Sequence, residues 1–275
     1  TFLANMPEYR DRKFEDGHTV LEHSNAWTAY LREYLRQRGR KGMTIEMDSP
    51  SYAAPTLNAI YSVYELSDDA VLKQRASDYI TLFWALWAEQ QINGVNGAGK
   101  ARCYPASATG GTDFMGRAAW YALGIGSPEF DHISMLPFIT SSWRMPDVVA
   151  DLALDVNGRG AYERQVRTDG GGLVRYGYGT PDFIMGSLLC DSHPMSEWYA
   201  GSAQNRWNGV IFRGATDARI FPFCETDHSS YNQQWAVQRK GTLIAQKLKT
   251  SSHADGLRVW FSKDGLSAPT SLGAW

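Results

Sequence analysis

Past a run of three glycines, Gly170 to Gly172, the hydrophobic period of the chain falls from about 3.6 residues to about 2, and no single type of regular element satisfies both. Upstream, Ala26 to Arg38 sets Trp27, Tyr30, Leu31, Tyr34 and Leu35 on one helical face, with Arg32, Glu33, Arg36 and Gln37 opposite. A second helix is predicted from Ser51 or Pro55 to Ser67, carrying Leu57, Ile60, Tyr61 and Tyr64. Asp68 and Asp69 supply the cap and first-turn charge of a third, which runs through Leu72, Ala76, Ile80 and Phe83 to Trp87. Helices joined so tightly make an αα-hairpin. Weaker helical patterns cover Phe114 to Leu123, His132 to Trp143 and Pro146 to Leu154.

Downstream of the glycines, strands are predicted at Leu173–Tyr178, Gly209–Arg213, Arg219–Phe223, Trp235–Arg239, Thr242–Lys247 and Leu257–Ser262. Lys240-Gly241 forms a hairpin turn between two of them. A run of helices followed by a run of strands predicts an α+β chain, not alternating βαβ units. The expected division is a helical domain over 1–165 and an antiparallel β domain over 166–275, the latter ending in strand-like sequence.

Composition narrows the partners. Lys+Arg 27 against Asp+Glu 29 gives a net charge of -2, so no global basic field exists to hold nucleic acid or an anionic membrane. The most apolar run, Ile80 to Ala88, stops at Glu89, well short of the roughly 18 residues of a membrane span. Cys103, Cys190 and Cys224 lack C-x-x-C spacing, which argues against a structural zinc. Gly94 to Lys100 follows a helix, not a strand, so it is not expected to cradle phosphate. Aromatic residues are plentiful, at 13%, and Trp and Tyr serve both a core and a sugar-binding cleft.

Three segments concentrate polar chemistry. Glu46-Met47-Asp48-Ser49-Pro50-Ser51-Tyr52 sets carboxylates, hydroxyls and a phenol at a loop-to-helix junction; Ser49 as a cap with Tyr52 packed inward is the alternative. Lys100-Ala101-Arg102-Cys103-Tyr104-Pro105 places a guanidinium and a second phenol beside a glycine loop, or else a surface Arg and a packed Tyr. Gln204 to Gly209, with Arg206 and Trp207, offers either a sugar contact or an interdomain hydrogen-bond network. Asp191 with His193, and Asp227 with His228, do not form metal-ligand spacing, so no cofactor is expected and a divalent metal is the minor alternative. His18 and His23 either lie near a site or orient a loop.

The run from Asp16-Gly17 through Glu22-His23, Trp27, Tyr30-Leu31, Arg38, Gly42, Glu46, Ser49-Pro50 and Tyr52 to Trp84 and Arg102 resembles the helical toroid of polysaccharide lyases of the heparinase and alginate-lyase-like type. Gly179 to Phe183, Gln204 to Val210 and Gly241 to Lys247 look like the junction and early strands of the β-sandwich that follows such toroids. The resemblance implies an (α/α) toroid followed by an antiparallel β-sandwich, β-elimination on a uronic-acid polysaccharide, and a secreted or periplasmic location. It assigns proton transfer to Tyr52, carboxylate binding and phenol activation to Arg102, an alternative acid to Tyr104, and a substrate partner to Glu46. Trp84, Trp87, Tyr178 and Trp207 become sugar platforms, with core packing the stronger expectation for Trp84 and Trp87. Arg206, Lys100 and Arg175 are expected to add local positive potential for an anionic polymer. Relatives of this kind carry an Asn-His pair ahead of the Ser-Pro-x-Tyr segment and no such dipeptide exists here, so either that element lies upstream of Thr1 or the mechanism differs. A toroid glycoside hydrolase using Glu46, Asp48 or Glu89, and a non-catalytic carbohydrate binder, are the competing expectations.

Overall fold

The computed structural model describes residues 3–110, 113–126, 133–168, 173–190, 206–223, 234–247 and 258–266. Helix α1 (Val20–Lys41) starts at Thr19, whose hydroxyl accepts from the Glu22 amide at 3.1 Å while the Glu22 carboxylate accepts from the Thr19 amide at 2.7 Å. This reciprocal cap satisfies two amides that a helix start leaves without intrahelical partners, and it sets the beginning of α1 upstream of the apolar stripe. Helices α2 (Ala53–Leu66) and α3 (Ala70–Glu89) form the expected hairpin, with the Asp69 carboxylate accepting from the Leu72 amide at 2.7 Å. Helix α4 (Phe114–Leu123) has the bounds its sequence predicts and closes on Gly124 in the left-handed conformation, φ 71°. Helix α5 (Asp147–Leu154) follows, and α3 packs against α1, α2 and α5. The pattern from His132 to Trp143 is not one helix: a 3-10 turn, Ile133–Met135, gives way to a short helix, Leu136–Thr140, because Pro137 has no amide to continue the ladder and fits only a first turn.

The sheet begins at β1 (Tyr162–Arg167), so it straddles the expected boundary at residue 165. Strands β2 (Leu173–Gly179), β3 (Phe183–Cys190), β4 (Gly209–Phe212) and β5 (Arg219–Phe223) follow, then the hairpin β6 (Gln234–Arg239) and β7 (Thr242–Lys247), and finally β8 (Arg258–Phe261). Six of them form one antiparallel sheet in the order β8-β5-β4-β3-β2-β1. The β6–β7 hairpin turns at Lys240, φ 48°, and docks on that sheet: the Gln238 side-chain amide donates to the Met185 carbonyl at 2.9 Å and the Lys240 amide to the Tyr176 hydroxyl at 2.8 Å.

Two apolar cores result among the described residues. The larger gathers Leu57, Tyr61, Ile80, Phe83, Trp84 and Trp87 with residues of α4 and α5. The smaller joins Ile92, Val95, Cys103 and Ala108, from the chain leaving α3, to Ile184, Trp207, Ile211 and Phe221 of the sheet region. The glycine loop thus lies flat on β3. At Gly99 a Cβ would collide with the Ser187 and Leu188 backbone, so the glycine serves a close approach of two main chains. Lys100 and Trp207 then pair as an antiparallel bridge, amide to carbonyl at 3.0 and 2.9 Å.

Candidate functional site

Two segments meet above this contact. The first is the 3-10 turn Ile45–Asp48 with the residues leading into α2; the second is Lys100–Tyr104. Ser49 ties them together: its hydroxyl donates to the Arg102 carbonyl at 3.2 Å and accepts from the Tyr52 amide at 3.1 Å. Arg102 is non-glycine and sits at φ 51°, which turns its side chain away from its buried neighbours Ala101 and Cys103. Such a conformation costs of order 1–3 kcal/mol and persists where surrounding structure holds it, commonly at functional sites.

The turned guanidinium does two things. It donates to the Glu46 carboxylate at 2.8 Å and lies over the Tyr52 ring at 4.5 Å. The rings of Tyr52 and Tyr104 are 6.5 Å apart. The neighbouring Tyr52 hydroxyl first, and partial burial second, hold the Tyr104 phenol above its ordinary pKa, with the nearby Arg102 charge opposing. Tyr52, Arg102, Tyr104 and Glu46, chosen from sequence, are brought together, and all four remain partly open to solvent.

The other expected contacts fall elsewhere. Trp84 is fully buried, its indole N–H donating to the Tyr61 hydroxyl at 2.9 Å, and Trp87 is buried beside it, so neither ring offers a face to a sugar. Trp207 is likewise enclosed in the smaller core, and Arg206 is buried with its guanidinium donating to the Gln234 carbonyl at 3.0 Å. Both therefore hold the sheet region together instead of lining a cleft. Tyr178 is half-buried on β2 against Phe183, at 5.9 Å. Lys100 and Arg175 are also buried, which removes them from the set of cations available to a polymer at the surface. Asp191, His193, Asp227, His228, Gln204 and Asn205 lie outside the described residues.

Sequence reasoning missed the support beneath the site. Asp48 makes a buried ion pair with Arg175 of β2 and accepts from the Asn96 side-chain amide at 2.6 Å, while the Asn96 side-chain Oδ1 accepts from the Ala98 amide at 2.8 Å. This network clamps both site-bearing segments to the sheet. The available signal was Asp48 beside Met47 and Ser49 in a turn, together with Arg175 alternating with apolar residues along a predicted strand. Among the described residues no three His, Cys, Asp or Glu side chains gather as a metal site. No helix among them is long and apolar enough to cross a membrane. Comparison of the chain with protein-family models, with curated proteins and with solved structures gave no match in any of the three, so the functional reading rests on this geometry and on the sequence resemblance.

Proposed function

We propose that the protein is a polysaccharide lyase that cleaves uronic-acid polymers by β-elimination, built as a helical toroid followed by a β-sandwich and acting in a secreted or periplasmic setting. One observation carries the reading: two phenols, their rings 6.5 Å apart, flank a guanidinium that lies 4.5 Å over the Tyr52 ring and that the Glu46 carboxylate holds at 2.8 Å. Taking the C5 proton α to a carboxylate needs a cation at that carboxylate, a base at C5 and an acid at O4. Tyr52 in its phenolate form takes the C5 proton, helped by the Arg102 charge 4.5 Å from its ring. The electron pair forms the C4–C5 double bond, the C4–O4 bond breaks, and O4 receives the proton kept by Tyr104. Arg102 faces the substrate carboxylate, and Glu46 fixes the guanidinium.

Of the three carboxylates named for the hydrolase alternative, Asp48 is held in a buried pair with Arg175 and Glu89 is paired with Arg164 at 3.0 Å, which leaves Glu46, itself paired with Arg102 at 2.8 Å. Incubation with a panel of uronate polymers, following the ultraviolet absorbance of the unsaturated product and the release of reducing ends, tests the proposal. A lyase gives both signals. Reducing ends without absorbance would establish a hydrolase, and saturable binding with neither would establish a carbohydrate binder.

A further inference from the structure

At the N-terminal end of α1 two large aromatic rings stand open to solvent: Trp27 is 60% exposed, and Phe14, in the loop before the helix, is 50% exposed. With Leu3 and Val20 they line a groove of about 790 Å³, inside the roughly 300–1,000 Å³ of small-ligand sites. About 20 Å of helix, at 1.5 Å per residue, separates Trp27 from Lys41, beyond which the Glu46 segment begins, so the groove is remote from the Tyr52 cluster. Neighbouring side chains fix both rings. Tyr30 meets the Trp27 indole edge-on at 5.6 Å, and His23 meets the Phe14 ring edge-on at 4.8 Å. His23 is in turn paired with the Asp16 carboxylate at 2.9 Å, and that carboxylate accepts from the His18 amide at 3.0 Å. The aromatic surface is therefore preformed, and a ligand does not have to order it.

The polar part of the lining selects the ligand. Glu15, Asp16, His23 and Ser24 share the groove with the rings, and no Lys or Arg lines it. Among the described residues, no side chain or main-chain group is bonded to the Glu15 carboxylate or the Ser24 hydroxyl, so both are available to a ligand. Ser24 also borders a second hollow of about 460 Å³, where Asn25, Thr28 and Asp68 supply further donors and acceptors. An anion would meet carboxylates with no cation in the lining, and a wholly apolar partner would bury those carboxylates unpaired. A sugar ring matches both parts of the lining. Its C–H face covers an indole or phenyl ring, while its hydroxyls donate to carboxylates and exchange hydrogen bonds with Ser and Asn side chains. We propose that this groove binds an uncharged saccharide, with one sugar ring against Trp27, its hydroxyls on Glu15 and Ser24, and the next unit toward Asn25 and Thr28. The site is independent of the lyase reading.

The test is titration calorimetry of the parent, Trp27→Ala, Trp27→Phe and Tyr52→Phe with pentasaccharides of glucose, mannose and galactose, with pentagalacturonate and with tetramethylammonium. At least one neutral pentasaccharide is expected to bind the parent saturably, to bind Trp27→Ala about tenfold or more weakly, and to bind Tyr52→Phe as it binds the parent. Trp27→Phe keeps a flat ring and is expected to retain most of the affinity. Because the Trp27 ring is exposed, both Trp27 variants are expected to keep the parent's thermal midpoint. No saturable binding by any neutral pentasaccharide, binding that Trp27→Ala leaves unchanged, or binding that Tyr52→Phe abolishes would overturn the proposal. A Trp27-dependent affinity for pentagalacturonate or tetramethylammonium that equals that for the neutral sugars would also overturn it, because the groove would then recognise charge.

Discussion

The outer and inner faces of the same two segments use one chemistry for different ends. Glu46 and Arg102 form an ion pair whose side chains remain 25% and 27% exposed, whereas Asp48, two residues on, pairs with Arg175 at 5% and 0%. Solvent screens the first pair, so its net stabilisation is small and its members stay free to exchange partners with a ligand. The second has no water to fall back on, and losing one partner strands the other charge in the interior. The proposed chemistry sits on the adjustable face and register on the fixed one.

Breaking the inner pair gives the largest expected effect. Arg175→Met leaves the Asp48 carboxylate buried beside Asn96 alone and is expected to lower stability by about 3–5 kcal/mol, read from the urea midpoint. An effect below about 1 kcal/mol would show that the pair does not clamp the segments. Next comes Arg102→Ala, expected to reduce kcat/KM on a uronate polymer by about 10²–10³-fold while changing stability little, as removal of one stabiliser of developing charge does. A variant that lost stability but kept its rate would exchange the roles assigned to the two faces.

The pH dependence of stability sharpens the contrast. Burial lowers the Lys100 pKa from 10.5 to about 8, so above pH 8 the unfolded chain binds the extra proton and stability rises with pH. Burial raises the Cys103 thiol from 9.0 to about 11, which opposes that gain once pH passes 9. Asp113 and Arg219 also face this cluster, where burial holds the carboxyl above its ordinary pKa and the guanidinium below its own, and both stay in place in Lys100→Met. The parent is therefore expected to gain stability between pH 8 and 9 relative to Lys100→Met. A parent curve that fell relative to the variant's through this window would mean that Lys100 is not the group responsible. The smallest effect belongs to Glu46→Gln, expected to cost no more than about 1 kcal/mol in stability, since it touches only the screened pair.

Much of this was legible in the sequence, and the remainder was hidden for physical reasons. The capped, periodic helices α2, α3 and α4 stand near their predicted limits because local signals and packing agree there. Strand β1 escaped because Glu163, Arg164, Gln165 and Arg167 make it polar, as an edge strand of the sheet can be. Strand β3 escaped because Phe183, Met185 and Leu189 on its half-buried face are as apolar as Ile184 and Leu188 on its buried one, so its sequence shows no alternation. Tyr52, Arg102, Tyr104 and Glu46 stand out because each lies beside other polar groups in a loop-to-helix or glycine-loop segment, and the structure brings those segments together. For Arg206 and Trp207 the hydrogen-bond-network alternative is the one the structure shows; the burial of Lys100 and Arg175 was not found, because no local pattern distinguishes a cation facing solvent from one facing a carbonyl or a carboxylate across the fold.

The central claim is that Tyr52 moves the proton. Tyr52→Phe removes one hydroxyl and leaves the ring under Arg102, so the most direct measurement is the rate of unsaturated-product formation from a uronate polymer by parent and variant, with thermal midpoints recorded alongside. The account predicts a loss of about 10²–10⁴-fold in rate at an unchanged midpoint, the range for removal of a general base. A variant that retains activity within a few-fold of the parent would contradict it.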